Sequence, residues 1–150
     1  MRTSKKGKNY ISAIEGDVLR AYKGSVGVWT IGRGITTNAG IGTIKPDMRI
    51  TQAQSDEMFG RALVKYEKRV AAKMGPLTQH EFDGATSFDW NTGAIHKATW
   101  AAKFKEKLFT QSEESLMLWV KAGGKTLRGL VRRRPEEANI IFRAQYPTGI

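Results

Sequence analysis

The sequence predicts an α+β protein of one domain, with a small β-lobe, a long connecting helix and a larger helical lobe. Short β-like runs rich in glycine are confined to residues 14–50, whereas capping signals and helical periodicity dominate the rest of the 150 residues. Strands that cluster in one part of a chain, rather than alternate with helices, are typical of the α+β class. We expect the β-lobe at about 14–50, the connecting helix at about 51–75 and the helical lobe at about 76–150. A cleft between two such lobes is the natural place for an extended ligand.

The N-terminal part predicts a helix followed by a hairpin. Thr3 or Ser4 can cap the helix, and Gly16 can end it because glycine adopts left-handed backbone conformations at little cost. Residues 18–23 and 28–33 are predicted to be paired strands around a turn at 24–27. The apolar stripe of the helix is expected to comprise Tyr10, Ile11 and Ile14, and a third short strand to lie at 43–44 or 49–50.

Two capping boxes mark where later helices begin. Residues 51–54 (TQAQ) predict a helix that runs to about Met74, and residues 78–81 (TQHE) predict a second that breaks at 91–93. Proline is tolerated in the first turn of a helix but disrupts its middle, so Pro135 predicts that the last helix begins at 131–134. The remaining helices are expected near 99–108, 112–121 and 132–146, with a loop at 122–124.

The chain is strongly basic and has no cysteine. Its 25 lysine and arginine residues outnumber 14 acidic ones, giving a net charge of +11. This charge favours binding to a polyanion, which can be nucleic acid, anionic lipid or a bacterial envelope, or it reflects only a lysine-rich solvated face. Disulfides and thiolate chemistry are excluded, and His80 and His96 are not spaced as metal ligands, so we expect no metal and no cofactor. Because no signal-peptide core and no membrane-spanning run are found, we expect synthesis in the cytoplasm without an anchor.

Three groups of short motifs occur in order along the chain. The first lies at 15–16, 21–23 and 27–34 (EG, AYK and GVWTIGRG), the second at 77–79, 82, 87–88 and 91–94, and the third at 122–125, 129–134 and 136–138. In this order and spacing the chain resembles the phage-type lysozymes, glycoside hydrolase family 24, also called endolysins, from about residue 3 to 143. The resemblance implies a lysozyme-like fold and cleavage of peptidoglycan between N-acetylmuramic acid and N-acetylglucosamine.

The catalytic pattern of that family is only partly present. The family has a glutamate, an aspartate nine residues later and a threonine six residues after that, which correspond here to Glu15, Gly24 and Thr30. The resemblance implies that Glu15 gives a proton to the leaving oxygen, a step that sugar cleavage requires, and that Thr30 holds a water or nucleophile. Glycine at position 24 supplies no general base, and the usual histidine of the family corresponds to Ile35.

The resemblance also implies a substrate-binding set. Asn91 either hydrogen bonds to an acetamido or peptide group of the substrate or only caps its helix. Phe88 and Thr99 correspond to positions that line the family's cleft, although Phe88 can equally be a core residue. The tryptophans expected to pack in the core rather than to bind sugar are Trp29, Trp90, Trp100 and Trp119. We attribute the arginines at 132–134 to envelope attraction and helix packing, not to nucleic-acid binding, since no nucleic-acid motif accompanies them.

The missing aspartate leaves several alternatives open. Asp17 can replace it, or a substrate group can act as nucleophile: the N-acetyl group, or the muramyl 6-hydroxyl in lytic transglycosylase chemistry. The chain can also be an inactive peptidoglycan-binding protein. In every case the expected partners are peptidoglycan glycan strands and the anionic envelope surface, with no nucleic acid and no membrane span. We expect a monomer that acts on the periplasmic cell wall after release.

Overall fold

A computed structural model describes residues 1–150, with six α-helices and two antiparallel hairpins. The elements are α1 (Lys5–Glu15), β1 (Val18–Lys23), β2 (Trp29–Gly32), α2 (Gln52–Met74), α3 (Gln79–Thr92), α4 (Thr99–Lys105), α5 (Phe109–Leu116), β3 (Lys121–Ala122), β4 (Lys125–Thr126) and α6 (Arg128–Arg143). The predicted α+β arrangement is confirmed: β1, β2 and the irregular segment after them form a small lobe, and α2 leads into the helical lobe. No helix is both long and apolar enough to cross a membrane.

Local capping explains where the first three helices begin and end. The Ser4 hydroxyl accepts a hydrogen bond from the Gly7 N–H at 3.1 Å, and Thr51 and Gln54 exchange side-chain-to-backbone bonds of 3.1 and 2.8 Å. Gly16 and Gly93, with φ of 73° and 63°, end α1 and α3 in a region that glycine favours. These starts and stops agree with the sequence prediction.

Several predicted boundaries are wrong in the second half of the chain. Helix α3 ends within its predicted break, but residues 91–92 still belong to it, and the Thr92 hydroxyl donates to the Phe88 carbonyl at 2.8 Å. Helix α4 ends at Lys105, just before Lys107 with its φ of 61°, and α5 begins and ends earlier than the predicted 112–121. The loop expected at 122–124 is the turn region of a short hairpin in which β3 pairs with β4.

Helix α6 begins at Arg128, before the predicted start, and Pro135 lies inside it. An interior proline removes one backbone hydrogen bond, at a cost of about 3 kcal/mol. The helix nevertheless continues past Pro135 and packs along α3, where the buried Glu137 accepts a hydrogen bond from the Ser87 hydroxyl at 2.5 Å. The expected start, which depended on the proline alone, is therefore wrong.

Each lobe has its own core, and α2 belongs to both. In the helical lobe Phe88 meets Trp100 and Trp119 edge-on, with centroids 5.2 and 5.3 Å apart. In the β-lobe, Ile31 and Ile35 are buried with Ala62 of α2. The core residues of the β-lobe are Ala21, Ile31, Ile35, Ile44 and Ala62. Shared use of α2 fixes the two lobes relative to one another.

Two predictions for the N-terminal third of the chain also need correction. Of the expected stripe on α1, Tyr10 and Ile11 are buried but Ile14 is 41% exposed. The predicted third strand is only a single backbone bridge between Arg20 and Arg49. One bridge holds the segment before α2 against β1, which is enough to close the lobe without a regular strand.

Close contact between α3 and α6 depends on Gly84. A Cβ at this position would lie 2.4 Å from Ile141 Cγ1 and 3.3 Å from the Glu137 carbonyl oxygen. We expect Gly84→Ala to lower the free energy of unfolding by about 2 kcal/mol in urea denaturation, because the added methyl overpacks the helix pair. Gly60→Ala on α2, where a Cβ meets nothing within 4 Å, should instead raise it by about 0.5–1 kcal/mol. Equal effects at the two positions would contradict this account.

Candidate active site

A cavity of about 450 Å³ lies between the two lobes. Its lining includes Glu15 at the end of α1; Gly34, Ile35 and Asn38 after β2; Ala62, Lys65 and Tyr66 on α2; and Trp90 and Asn91 on α3. Four separate parts of the chain thus meet at this site. Glu15 and Lys65 are the only charged residues in the lining.

Glu15 is half-enclosed at the wall of this cavity. Its side chain is 25% exposed, and Oε1 lies 3.5 Å from Nη1 of Arg133. Gly34 lies on the other side: a Cβ there would come within 3.0 Å of Oε2, and the φ of 72° is one that glycine favours. The backbone after β2 can therefore pass close to the carboxyl group and leave it open to the cavity.

A buried charge cluster holds Arg133 beside Glu15. Arg133 is 4% exposed; its Nε lies 3.1 Å from Glu137 Oε2, and its Nη2 donates to the Ser87 carbonyl at 3.1 Å. Arg134 also pairs with Glu137. The packing role predicted for the arginine run is thus seen for Arg133 and Arg134, while Arg132 alone is exposed. Sequence reasoning missed the contact between Arg133 and Glu15.

Aromatic and apolar side chains form the rest of the wall. Trp90 packs against Tyr66 at 5.2 Å and edge-on against Phe59 at 5.3 Å, so it belongs to the core and to the cavity at once. Burial raises the pKa of the Tyr66 phenol, which therefore stays neutral near pH 7 and can donate a hydrogen bond. Ile35, where the resemblance led us to expect histidine, is buried against Ala62 and makes this part of the wall apolar.

Thr30 and Gly24 are neighbours on the β1–β2 hairpin. The Thr30 hydroxyl donates to the Val28 carbonyl at 2.9 Å, and a Cβ built on Gly24 would lie 3.2 Å from that hydroxyl oxygen. Neither residue is among those that line the cavity around Glu15. A side chain at position 24 would therefore be placed beside Thr30.

The Asp17 carboxylate is held against helix α2. Its carboxylate accepts hydrogen bonds from the Ser55 hydroxyl at 2.6 Å and from the Gln52 amide at 2.8 Å. Arg33 Nε lies 3.7 Å from the same group. Three partners fix this carboxylate, which argues against its moving to replace the aspartate missing at Gly24.

The three predicted substrate-binding residues are not brought together. Asn91 lines the cavity, and its side-chain oxygen accepts a bond from Arg134, which leaves its amide N–H groups available. Phe88 is fully buried and offers no surface to a ligand, so its predicted place in the lining is wrong. Arg134 stacks on its ring at 5.1 Å. Thr99 is exposed at the start of α4, outside the cavity lining.

Lys65 and Tyr66 were also missed as lining residues. A signal was present, because both follow Ala62 at the three- and four-residue spacing that places side chains on one face of a helix. This face of α2 passes from the β-lobe core into the cavity.

Comparison with known proteins agrees with this geometry. A sequence model described as phage lysozyme matches residues 12–137. The endolysin of Acyrthosiphon pisum secondary endosymbiont phage 1 is 32% identical over 144 residues, covering 91% of this chain and 95% of that protein. The endolysin from Escherichia coli O157:H7 phage FAHEc1 superimposes with a TM-score of 0.81 at 30% identity, covering 99% of this chain and 98% of the other.

A third relative is the muramidase domain of SpmX from Asticaccaulis excentricus. It superimposes with a TM-score of 0.80 at 26% identity, covering 93% of this chain and 97% of that domain. The family match spans most of the chain, including Glu15 and the helices around the cavity. The protein therefore belongs to the phage lysozyme family of glycosidases, which act on bacterial peptidoglycan.

Proposed function

We propose that this protein is a muramidase that breaks the β-1,4 bond between N-acetylmuramic acid and N-acetylglucosamine, with Glu15 as proton donor. The observation that carries the proposal is the position of Glu15: a half-enclosed carboxyl at the wall of an interlobe cavity, and the only carboxyl in its lining. Protonation of the leaving oxygen requires an acid placed in this way. The name of the SpmX domain, a muramidase, supports the same bond.

Arg133 has a defined part in this proposal. When Glu15 has given up its proton, the guanidinium 3.5 Å away stabilises the carboxylate that remains. Glu137 and Ser87 hold Arg133 in place, so this stabilisation is available before the reaction begins. Asn91 is proposed to position an acetamido group. Thr30 lies outside the cavity lining and its hydroxyl already donates to the Val28 carbonyl, so its oxygen is proposed to accept a hydrogen bond from the nucleophile.

Lytic transglycosylation is a second candidate, and it is favoured by the absence of a second carboxyl in the lining. Glu15 would protonate the bridging oxygen as its bond to muramyl C1 breaks. The 6-hydroxyl oxygen of the same muramyl residue would then bond to C1, and its proton would return to Glu15. No water is consumed, and one carboxyl group serves as acid and then as base.

Mass spectrometry of the products separates the two reactions. Purified protein is incubated with isolated Gram-negative sacculi, and the soluble fragments are analysed. We expect cleavage that ends at muramic acid; reducing ends that have gained water indicate hydrolysis, and anhydromuramyl ends indicate transglycosylation. Fragments that end at reducing N-acetylglucosamine would contradict the proposed bond, and binding to sacculi without fragments would contradict both reactions.

A further inference from the structure

Lys65 is a cation without an acidic partner at the wall of the cavity. It makes no ion pair with any carboxylate, and its ammonium group lies 5.3 Å from the centroid of the Tyr66 ring. Attraction between the ammonium and the ring face favours this position. The ammonium group is exposed at the cavity wall, and no carboxylate of the protein neutralises it.

The surroundings of Lys65 suit a carboxylate ligand. Glu15 is the only other charged group in the lining, and it belongs to the proposed chemistry. Tyr66 and Asn38 add neutral hydrogen-bonding groups, and Trp90 adds an aromatic face. A ligand that carries a negative charge a short way from the sugar chain would bring that charge to Lys65.

Peptidoglycan carries such charges on its stem peptides, which branch from the lactyl group of each muramic acid and end in free carboxylates. We infer that Lys65 is a specificity-determining residue that binds a carboxylate of the stem peptide, so that the enzyme binds glycan with free stem carboxylates more tightly than glycan in which they are amidated. This inference rests on the proposed function, because it places muramic acid next to Glu15.

Binding can be measured apart from cleavage in the Glu15→Gln background. Two forms of sacculus are compared: intact, and with stem carboxylates converted to methylamides by carbodiimide coupling. For the Glu15→Gln protein we expect about fivefold tighter binding to intact than to methylamidated sacculi at low ionic strength, as for a solvent-exposed ion pair. Salt should reduce this preference, since it screens an exposed charge pair.

Adding Lys65→Ala should abolish the preference, and Lys65→Arg should restore most of it. Lys68→Ala is the matched control: this lysine is exposed on the same helix and lies outside the cavity lining. It should leave the ratio of the two dissociation constants unchanged.

Two failures can be told apart. If the parent protein cleaves sacculi but Lys65→Ala keeps the full preference, or Lys68→Ala removes it equally, the inference about Lys65 is wrong and the proposed function stands. If the parent protein does not cleave sacculi and its Glu15→Gln variant binds neither form, the proposed function itself is wrong.

Discussion

Replacement of Glu15 by glutamine is expected to lower the rate of sacculus cleavage about 10³-fold. The amide cannot give a proton to the bridging oxygen, and the lining of the cavity contains no other carboxyl to do so. If the reaction is hydrolysis, the variant loses only its general acid. If it is transglycosylation, the variant loses its general base as well, because Glu15 serves as both. The measurement is release of soluble muropeptides from isolated sacculi at matched protein concentration.

The fold should survive this change. Arg133 loses one partner at 3.5 Å but keeps Glu137 and Ser87, so the buried cluster remains paired. Glu114→Gln removes one negative charge from an exposed position on α5 and should leave the rate within twofold of the parent. A Glu15→Gln protein that is folded and digests murein at the parent rate would end the proposal for Glu15.

The sequence predicted best the features that depend on neighbours along the chain. The caps at Ser4 and Thr51 and the stop at Gly16 are local hydrogen-bond and backbone effects, and the structure confirms all three. The start of α6 could not be predicted in the same way. Pro135 lies inside a helix that packs along α3, where the neighbouring Glu137 accepts a hydrogen bond from Ser87, and only the assembled fold brings these two residues together.

In the candidate site, too, features flanked by motifs could be predicted from the sequence, whereas contacts between distant residues could not. Glu15 could be identified because motifs flank it in sequence, and Asn91 follows from a motif of its own. The contact of Glu15 with Arg133 joins residues 118 positions apart, and no spacing rule indicates it. For Phe88 the motif was recognised, but the side chain is fully buried against Trp100 and does not face the cavity.

Introduction of a carboxylate at position 24 is expected to raise hydrolysis of sacculi about 10²-fold. Gly24 has an ordinary backbone φ, and a Cβ there meets the Thr30 hydroxyl at 3.2 Å, so aspartate fits after a shift of a few tenths of an ångström. Its carboxylate would lie beside Thr30, where the resemblance places the family's general base. The measurement is the rate of reducing-end formation from sacculi for Gly24→Asp, with product masses recorded at the same time.

Two further variants separate basicity from charge and size. Gly24→Asn adds a side chain of equal size without a base, and Ser25→Asp adds the same charge one residue away at an exposed position of the turn. Neither should raise the rate more than twofold. If Gly24→Asp also fails to raise hydrolysis while remaining folded, the missing aspartate does not limit the reaction, and the nucleophile must come from the substrate. If all three raise it equally, the gain reflects charge or turn geometry, and position 24 is not part of the catalytic site.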